Sequence, residues 1–226
     1  MCALVIGAIL SKKIDVPGAV AGGVLTGLLW LGCSWLGVGL MATLFILGSV
    51  ASRWGRVEKE KYLQEEGEVF KEKRGLPNVL ANGFVAGAAG LAAWLIPDQQ
   101  LLWTAVAAGA LAAATSDTLA SELGTRYGKR FVHVLRFAPM RRGEDGAISL
   151  EGSFAGVVGA VLVGLVCGLG TQAWNTAVLV AGAGVFGNWL DSVLGVSLQR
   201  RGLLNNHTVN FWCTVGAGAV VCVGLL

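Results

Sequence analysis

The chain has 226 residues, of which 54% are apolar and only 14% charged, with 34 glycines and a formal net charge of +3. A soluble domain carries about 25% charged residues, so this composition excludes a water-soluble globular enzyme, and a mean hydropathy of +0.66 agrees. The small positive excess says little by itself, and no nucleic-acid partner is expected.

In chain order, a short apolar run from Cys2 to Leu10 comes first. It is too short to span and is read as a half-helix, an interfacial segment or a clipped helix. It also lacks the basic start and cleavage site of a signal peptide. Apolar runs of near-spanning length follow at about 16 to 33, 35 to 52, 77 to 96, 101 to 118, 153 to 171, 174 to 195 and 208 to 226, each close to the ~20 residues a helix needs. The expected fold is therefore all-α: a polytopic membrane helix bundle of about seven spans plus the short N-terminal segment, one integral membrane domain over 1–226. Two stretches break the pattern. Residues 53–75 form a charged cytoplasmic loop, in which Val57 to Arg74 reads as a Glu/Lys-rich helix whose charges serve solvation. Residues 125–151 form a second cytoplasmic loop, basic at first and then punctuated by glycine.

Basic residues occur only at Lys12 and Lys13, in Arg53 to Arg74, in Arg126 to Arg142, and at Arg200 and Arg201, whereas the intervening connections carry none. This alternation follows the positive-inside rule and puts the basic loops in the cytoplasm. Trp30, Trp35, Trp94, Trp103 and Trp174 fall near the outer connections, and Trp54, Trp189 and Trp212 toward the cytoplasmic ends, as expected of headgroup anchors. The five cysteines stand singly in apolar segments and read as small fillers, with neither a disulfide framework nor a zinc spacing. Pairs such as Gly23/Gly27, Gly83/Gly87, Gly152/Gly156 and Gly164/Gly168 predict close helix packing.

A weak parallel repeat runs through the second half. Ala81-Asn-Gly-Phe-Val-Ala-Gly87 is similar to Glu151-Gly-Ser-Phe-Ala-Gly156, and each leads through an outer turn to a returning helix that begins near Trp103 or Trp174. Both returning helices reach a carboxylate followed by a hydroxyl, Asp117-Thr118 and Asp191-Ser192, then Leu-Gly and basic residues. Such repeats place corresponding residues around a shared site.

An acidic side chain at membrane depth costs about 2.5 to 3.5 kcal/mol on insertion scales, which makes Asp117, Glu122 and Asp191 the candidate chemical residues. All three fall at cytoplasmic ends of apolar runs. Asp117 and Ser121 are four residues apart and share a helical face. Carboxylates with nearby hydroxyls suit Mg2+, which takes one or two carboxylates and keeps water and substrate phosphates as its other ligands. Arg126, Lys129 and Arg130 are placed to hold phosphate oxygens. Asn78 with Asn82, Asn188 with Ser192 around Asp191, and Asn205, Asn206 and Asn210 add polar groups on the same side, although asparagine at a helix start is also an ordinary cap. The combination points to phosphoryl or nucleotidyl chemistry on a lipid-bound substrate. Two apparent motifs are set aside. Gly182-Ala-Gly-Val-Phe-Gly187 has the dinucleotide spacing but lies in a membrane helix after no strand, and Gly124 to Lys129 is one residue short of a P-loop.

The stretches Val79-Leu-Ala-Asn-Gly83, Ser116-Asp-Thr-Leu-Ala-Ser-Glu-Leu-Gly124, Gly143-Glu-Asp-Gly-Ala-Ile-Ser-Leu-Glu-Gly152, Leu190-Asp-Ser-Val-Leu-Gly195 and Asn205-Asn-His-Thr-Val-Asn210 together resemble a known family. It is the integral membrane proteins of domain of unknown function 92, which includes the plant phytyl-phosphate kinase. Ser116 stands where that family usually has Ala, and Leu119 where it usually has Trp. The resemblance implies phosphorylation of a prenyl monophosphate to the diphosphate, with CTP or another NTP as donor. It also implies that Asp117, Glu122 and Asp191 hold Mg2+ and phosphates, while Asn82, Ser149, Asn206 and Asn210 complete the site.

The sequence reading is thus a Mg2+-dependent membrane kinase acting on phytyl or farnesyl phosphate, in contact with membrane lipid and facing the cytoplasm across a prokaryotic inner membrane. The oligomeric state, monomer or homo-oligomer, stays open. A transporter or channel is the rival, since hairpin repeats and intramembrane acids also mark secondary transporters. Depth separates the two, because a transporter sets its ionisable groups near the midplane.

Overall fold

A computed structural model of the chain describes residues 15–65 and 75–226. The short run Cys2–Leu10, Lys12 and Lys13, and the end of the Glu/Lys-rich segment lie outside the described residues. The fold is an all-α membrane bundle with one very small β-ladder.

Helix α1, Val16–Glu65, is broken at Ser34, whose backbone (φ 52°, ψ −143°) is not helical. Its halves fold back on each other. A side-chain carbon added at Gly37 would lie 2.5 Å from the Leu29 carbonyl, and Leu25 and Met41 both border Gly83. In an unbroken helix Leu25 and Met41 would be about 24 Å apart. The second half then continues without a break through Glu65, so the first part of the 53–75 stretch is helix rather than loop.

Helix α2 is Leu76–Leu95, with Pro77 in its first turn, where a missing N–H costs nothing. A single 3-10 turn, Pro97–Gln99, leads to α3, Gln100–Tyr127. Gly128 ends α3 by donating its N–H to the Gly124 carbonyl at 2.8 Å. Strand β1, Val132–His133, pairs antiparallel with β2, Ala147–Ile148. Helices α4, Leu150–Thr171, and α5, Trp174–Leu194, form the second hairpin. A π-helical turn at Gly195–Gln199 precedes α6, Asn206–Leu225, which Asn205 caps by accepting the Thr208 N–H at 3.0 Å.

Five helices, Val16–Trp54, Leu76–Leu95, Leu150–Thr171, Trp174–Gln199 and Asn206–Leu225, are long and apolar enough to cross a membrane. Helix α3 differs in kind because it is the hub. Thr104 through Ser116 are all buried, and the neighbours touch it through small residues: Gly184 against Ala112, Gly187 against Ala113, Gly159 against Leu119 and Gly109 against Val221. Alanine on α3 and glycine on its partners let the helix axes approach closely, which is how helices associate without a hydrophobic driving force between them. Two glycines of the Gly-x-Gly-x-x-Gly spacing in α5, Gly184 and Gly187, are therefore explained by packing on α3, whereas Gly182 faces open space.

The apolar run ends at residue 118, yet α3 continues to Tyr127. Polar contacts replace lipid for this extension. The Ser52 hydroxyl donates to Glu122 at 3.1 Å, and Arg126 donates to the Trp54 carbonyl while stacking on Tyr127, 5.1 Å from the ring centroid. Seven of the eight tryptophans are exposed on the bundle surface, as anchors would be. Trp103 instead packs against the core, and its indole N–H has no partner. The four described cysteines are free thiols.

Candidate functional site

Asp117 and Asp191 meet. The interval from Gln100 to Asp117 equals that from Trp174 to Asp191, 17 residues in each returning helix, or about 25 Å of rise from the outer end. The two carboxylates lie within electrostatic reach of each other, with Asp145 of the 125–151 loop also in reach of Asp191. Helix α3 has 28 residues and rises about 42 Å, against a hydrocarbon core of about 30 Å. Both aspartate side chains are half-buried.

Amides from two further helices close on Asp191. Asn210, buried one turn into α6, is 3.5 Å from Asn82 Oδ1, and its amide nitrogen, turned toward Asp191 Oδ2 at 3.2 Å, also donates to the Asn206 carbonyl at 2.9 Å. Asn82 lies in the second turn of α2 and donates to the Asn78 carbonyl at 2.9 Å. The Cys213 thiol faces Asp191 Oδ2 at 3.7 Å. This contact gives Cys213 a place in the site that sequence reasoning missed, because a filler and a donor look alike until the opposing helix is known.

The 125–151 loop is fastened to the end of α5 and the π-helical turn that follows it. Gly146 has φ +76°, and a side-chain carbon there would lie 2.5 Å from the Ser192 carbonyl, so glycine is required both for its backbone and for its closeness. Gln199 donates to Asp145 Oδ1 at 2.8 Å, and Arg200 pairs with Glu144 at 4.0 Å.

The remaining sequence candidates separate into groups. Glu122 lies five residues from Asp117, about 140° around the helix, and bonds Ser52 rather than facing Asp191. Ser149 is buried as the N-cap of α4, accepting the Gly152 N–H at 3.1 Å. Arg126 is engaged with the Trp54 carbonyl inside α1. Ser121 and Ser192 point back along their own helices, Ser121 donating to the Asp117 carbonyl at 2.9 Å and Ser192 to the Asn188 carbonyl at 3.5 Å. Lys129, Arg130 and Asn206 are exposed, and the Lys129 backbone N–H donates to Glu151 at 3.4 Å. Asn188 reaches across to Gly156 of α4, beside the hydroxyl of Ser116.

Among the described residues no group of three or more His, Cys, Asp or Glu side chains is arranged to hold a metal. A pair of carboxylates flanked by amides fits Mg2+, which needs only one or two carboxylates when a phosphate supplies further oxygens. It does not fit a structural zinc centre.

The family model for the integral membrane protein DUF92 matches residues 1–218. The chain belongs to this family. It is 31% identical over 221 residues to an uncharacterized membrane protein of Methanocaldococcus jannaschii, covering 97% of this chain and 89% of that protein. An uncharacterized membrane protein of Synechocystis is 32% identical over 226 residues, covering 98% and 86%. The chloroplastic protein VTE6 of Arabidopsis thaliana is 29% identical over 231 residues, covering 95% and 67%. No solved structure matches the chain. The relatives place this multi-pass membrane family in archaea, cyanobacteria and plants.

Proposed function

We propose that this DUF92 protein is a membrane kinase that phosphorylates a prenyl monophosphate, such as phytyl or farnesyl phosphate, using CTP or another nucleoside triphosphate. The carrying observation is that Asp117 of α3 and Asp191 of α5 lie within electrostatic reach of each other, beside the Asn210 amide. Resemblance to a family that includes a plant phytyl-phosphate kinase supports the same chemistry. The fold-back at Ser34 and the length of α3 support seven spans, with the site facing the cytoplasm of a prokaryotic inner membrane.

An amphiphilic substrate needs two solvents at once. Its isoprenoid chain lies along the apolar helices, and its phosphate rises to the level of the aspartates. There Asp117 and Asp191 would hold Mg2+, which when bound would supply charge neutralisation to the phosphates. Asn210 and Cys213 orient the Asp191 carboxylate, and the Asn206 carbonyl holds the Asn210 amide. Lys129 and Arg130, exposed at the loop start, are placed to bind the donor's phosphates.

In the reaction a prenyl-phosphate oxygen attacks the γ-phosphorus, the bond from the β,γ-bridging oxygen to that phosphorus breaks, and the nucleoside diphosphate leaves. The nucleophile is already ionised, since a phosphate monoester has its second pKa near 6. No general base is needed, and the chain's contribution is positioning and charge neutralisation, the larger part of phosphoryl-transfer catalysis. The boundary position of both aspartates favours this over the transporter reading, which calls for acids near the midplane. Purified protein in detergent, given Mg2+, labelled CTP or ATP and farnesyl or phytyl phosphate, is expected to form the diphosphate. No product with any donor would refute the proposal.

A further inference from the structure

Gly156 sits at a point where three helices exchange polar groups inside the bundle. It lies in α4, and an added side-chain carbon would be 2.5 Å from Asn188 Nδ2 of α5 and 3.0 Å from Ser116 Oγ of α3. Asn188 is one turn before Asp191, and Ser116 immediately precedes Asp117. The Ser116 hydroxyl is fully buried and has no hydrogen-bond partner, which costs about 1 to 3 kcal/mol. This level of the bundle is therefore set by the fit of these three residues.

We infer that Gly156, Asn188 and Ser116 form a positioning lock that fixes the spacing of Asp117 and Asp191. The missing side chain of Gly156 is the slot into which the Asn188 amide fits. With the amide in the slot, α5 is held against α4 one turn before Asp191, beside the Ser116 hydroxyl of α3 that directly precedes Asp117. Gly156 has ordinary helical backbone within α4, so the glycine serves the close approach of Asn188 and not the backbone. The nearest obstacle to a methyl group at 156 is the end of the Asn188 side chain, followed by the rotatable Ser116 hydroxyl at 3.0 Å and Ala120 Cβ at 3.2 Å. Gly156→Ala is therefore accommodated by expelling Asn188, and the protein still folds.

This inference rests on the proposed metal and phosphate centre only for its consequence; the lock itself is geometric. The test is a cycle of wild type, Gly156→Ala, Asn188→Ala and the double variant, with two readouts. The first is the distance between spin labels at Tyr127→Cys and Arg200→Cys, at the cytoplasmic ends of α3 and α5. It is measured by pulsed electron paramagnetic resonance with Cys2 and Cys222 changed to Ser. The second is Mn2+ binding to the unlabelled proteins.

Each single change is expected to shift or broaden the distance distribution. It is also expected to weaken Mn2+ binding at least tenfold. The double variant should be no worse than Asn188→Ala, because the methyl group enters a slot already emptied. Effects that multiply would overturn the lock, as would an unchanged distance in Gly156→Ala, since non-additivity is the signature of direct coupling. If wild type binds no Mn2+, the metal reading fails, and the distance measurement still decides the lock.

Discussion

Asp191→Asn separates a metal-binding role from a structural one through opposite effects with and without the ion. The substitution keeps the shape of the side chain and removes one charge from a pair. At an effective dielectric constant of about 20, one unit charge 4 Å from another is worth about 4 kcal/mol, so losing one of two carboxylates weakens a divalent cation on the order of a thousandfold. Without Mg2+ the same change relieves repulsion from Asp117 and loses an acceptor for Asn210 and Cys213. An ordinary hydrogen bond is worth about 1 kcal/mol net, so the two terms nearly offset. Thermal unfolding in detergent, followed by tryptophan fluorescence, should give a variant that melts within about 3 °C of wild type when Mg2+ is absent. Wild type at Mg2+ one hundred times its Kd gains about 2.7 kcal/mol, roughly 5 to 10 °C. The variant should show no such gain and no diphosphate formation. A retained Mg2+ shift would refute the carboxylate pair as the metal site, and a large loss of stability without Mg2+ would show that Asp191 serves the fold.

Four further outcomes follow from the geometry. Glu122→Gln, facing Ser52 and not the aspartates, should leave Mg2+ dependence unchanged when diphosphate formation is titrated with the ion. Lys129→Ala with Arg130→Ala, both exposed, should raise the KM for the nucleotide several-fold while leaving the melting temperature in place. Ser149→Ala removes the cap of α4 and should cost about 1 kcal/mol of stability, seen as a lower melting temperature with KM unchanged. Gly146→Ala forces a side chain into a left-handed position against the Ser192 carbonyl; it should release the loop, measured as faster amide hydrogen exchange over residues 143–149 and as lost turnover.

Much of the bundle was legible because hydropathy and charge alternation are one-dimensional signals. The turn at Ser34 and both later hairpins could be read from the spacing of the apolar runs alone. The roles of individual polar residues could not. Glu122 and Asp117 are neighbours in sequence but face different helices, and nothing in the sequence says which side of α3 meets α5. Ser149 and Arg126 lie in a stretch with the right chemistry but are used to end helices. The extension of α3 past residue 118 was hidden because it is stabilised by Ser52 and Trp54, contacts 70 residues or more away in the chain. Cys213 and Gly156 were hidden for the same reason, since each acquires its meaning from the residue opposite.

The depth of the aspartates links the bundle's composition to its proposed chemistry. Two acids at the midplane would each carry the full cost of insertion, and two acids in the cytoplasm would leave a prenyl chain behind. In the proposed reading the carboxylates lie just inside the boundary, where water and a nucleotide would reach them from one side while the prenyl chain lies along the apolar helices. This placement needs a helix longer than the membrane, so that the same element can carry Asp117 below the surface and its basic end above it. Helix α3 meets that need with 28 residues, and its alanine-rich surface lets α5 come close enough for Asp191 to join Asp117. A bulkier residue at Ala112 or Ala113 would push Gly184 and Gly187 away and separate the aspartates. The small residues of the hub are therefore part of the site's construction, although none of them would touch the substrate.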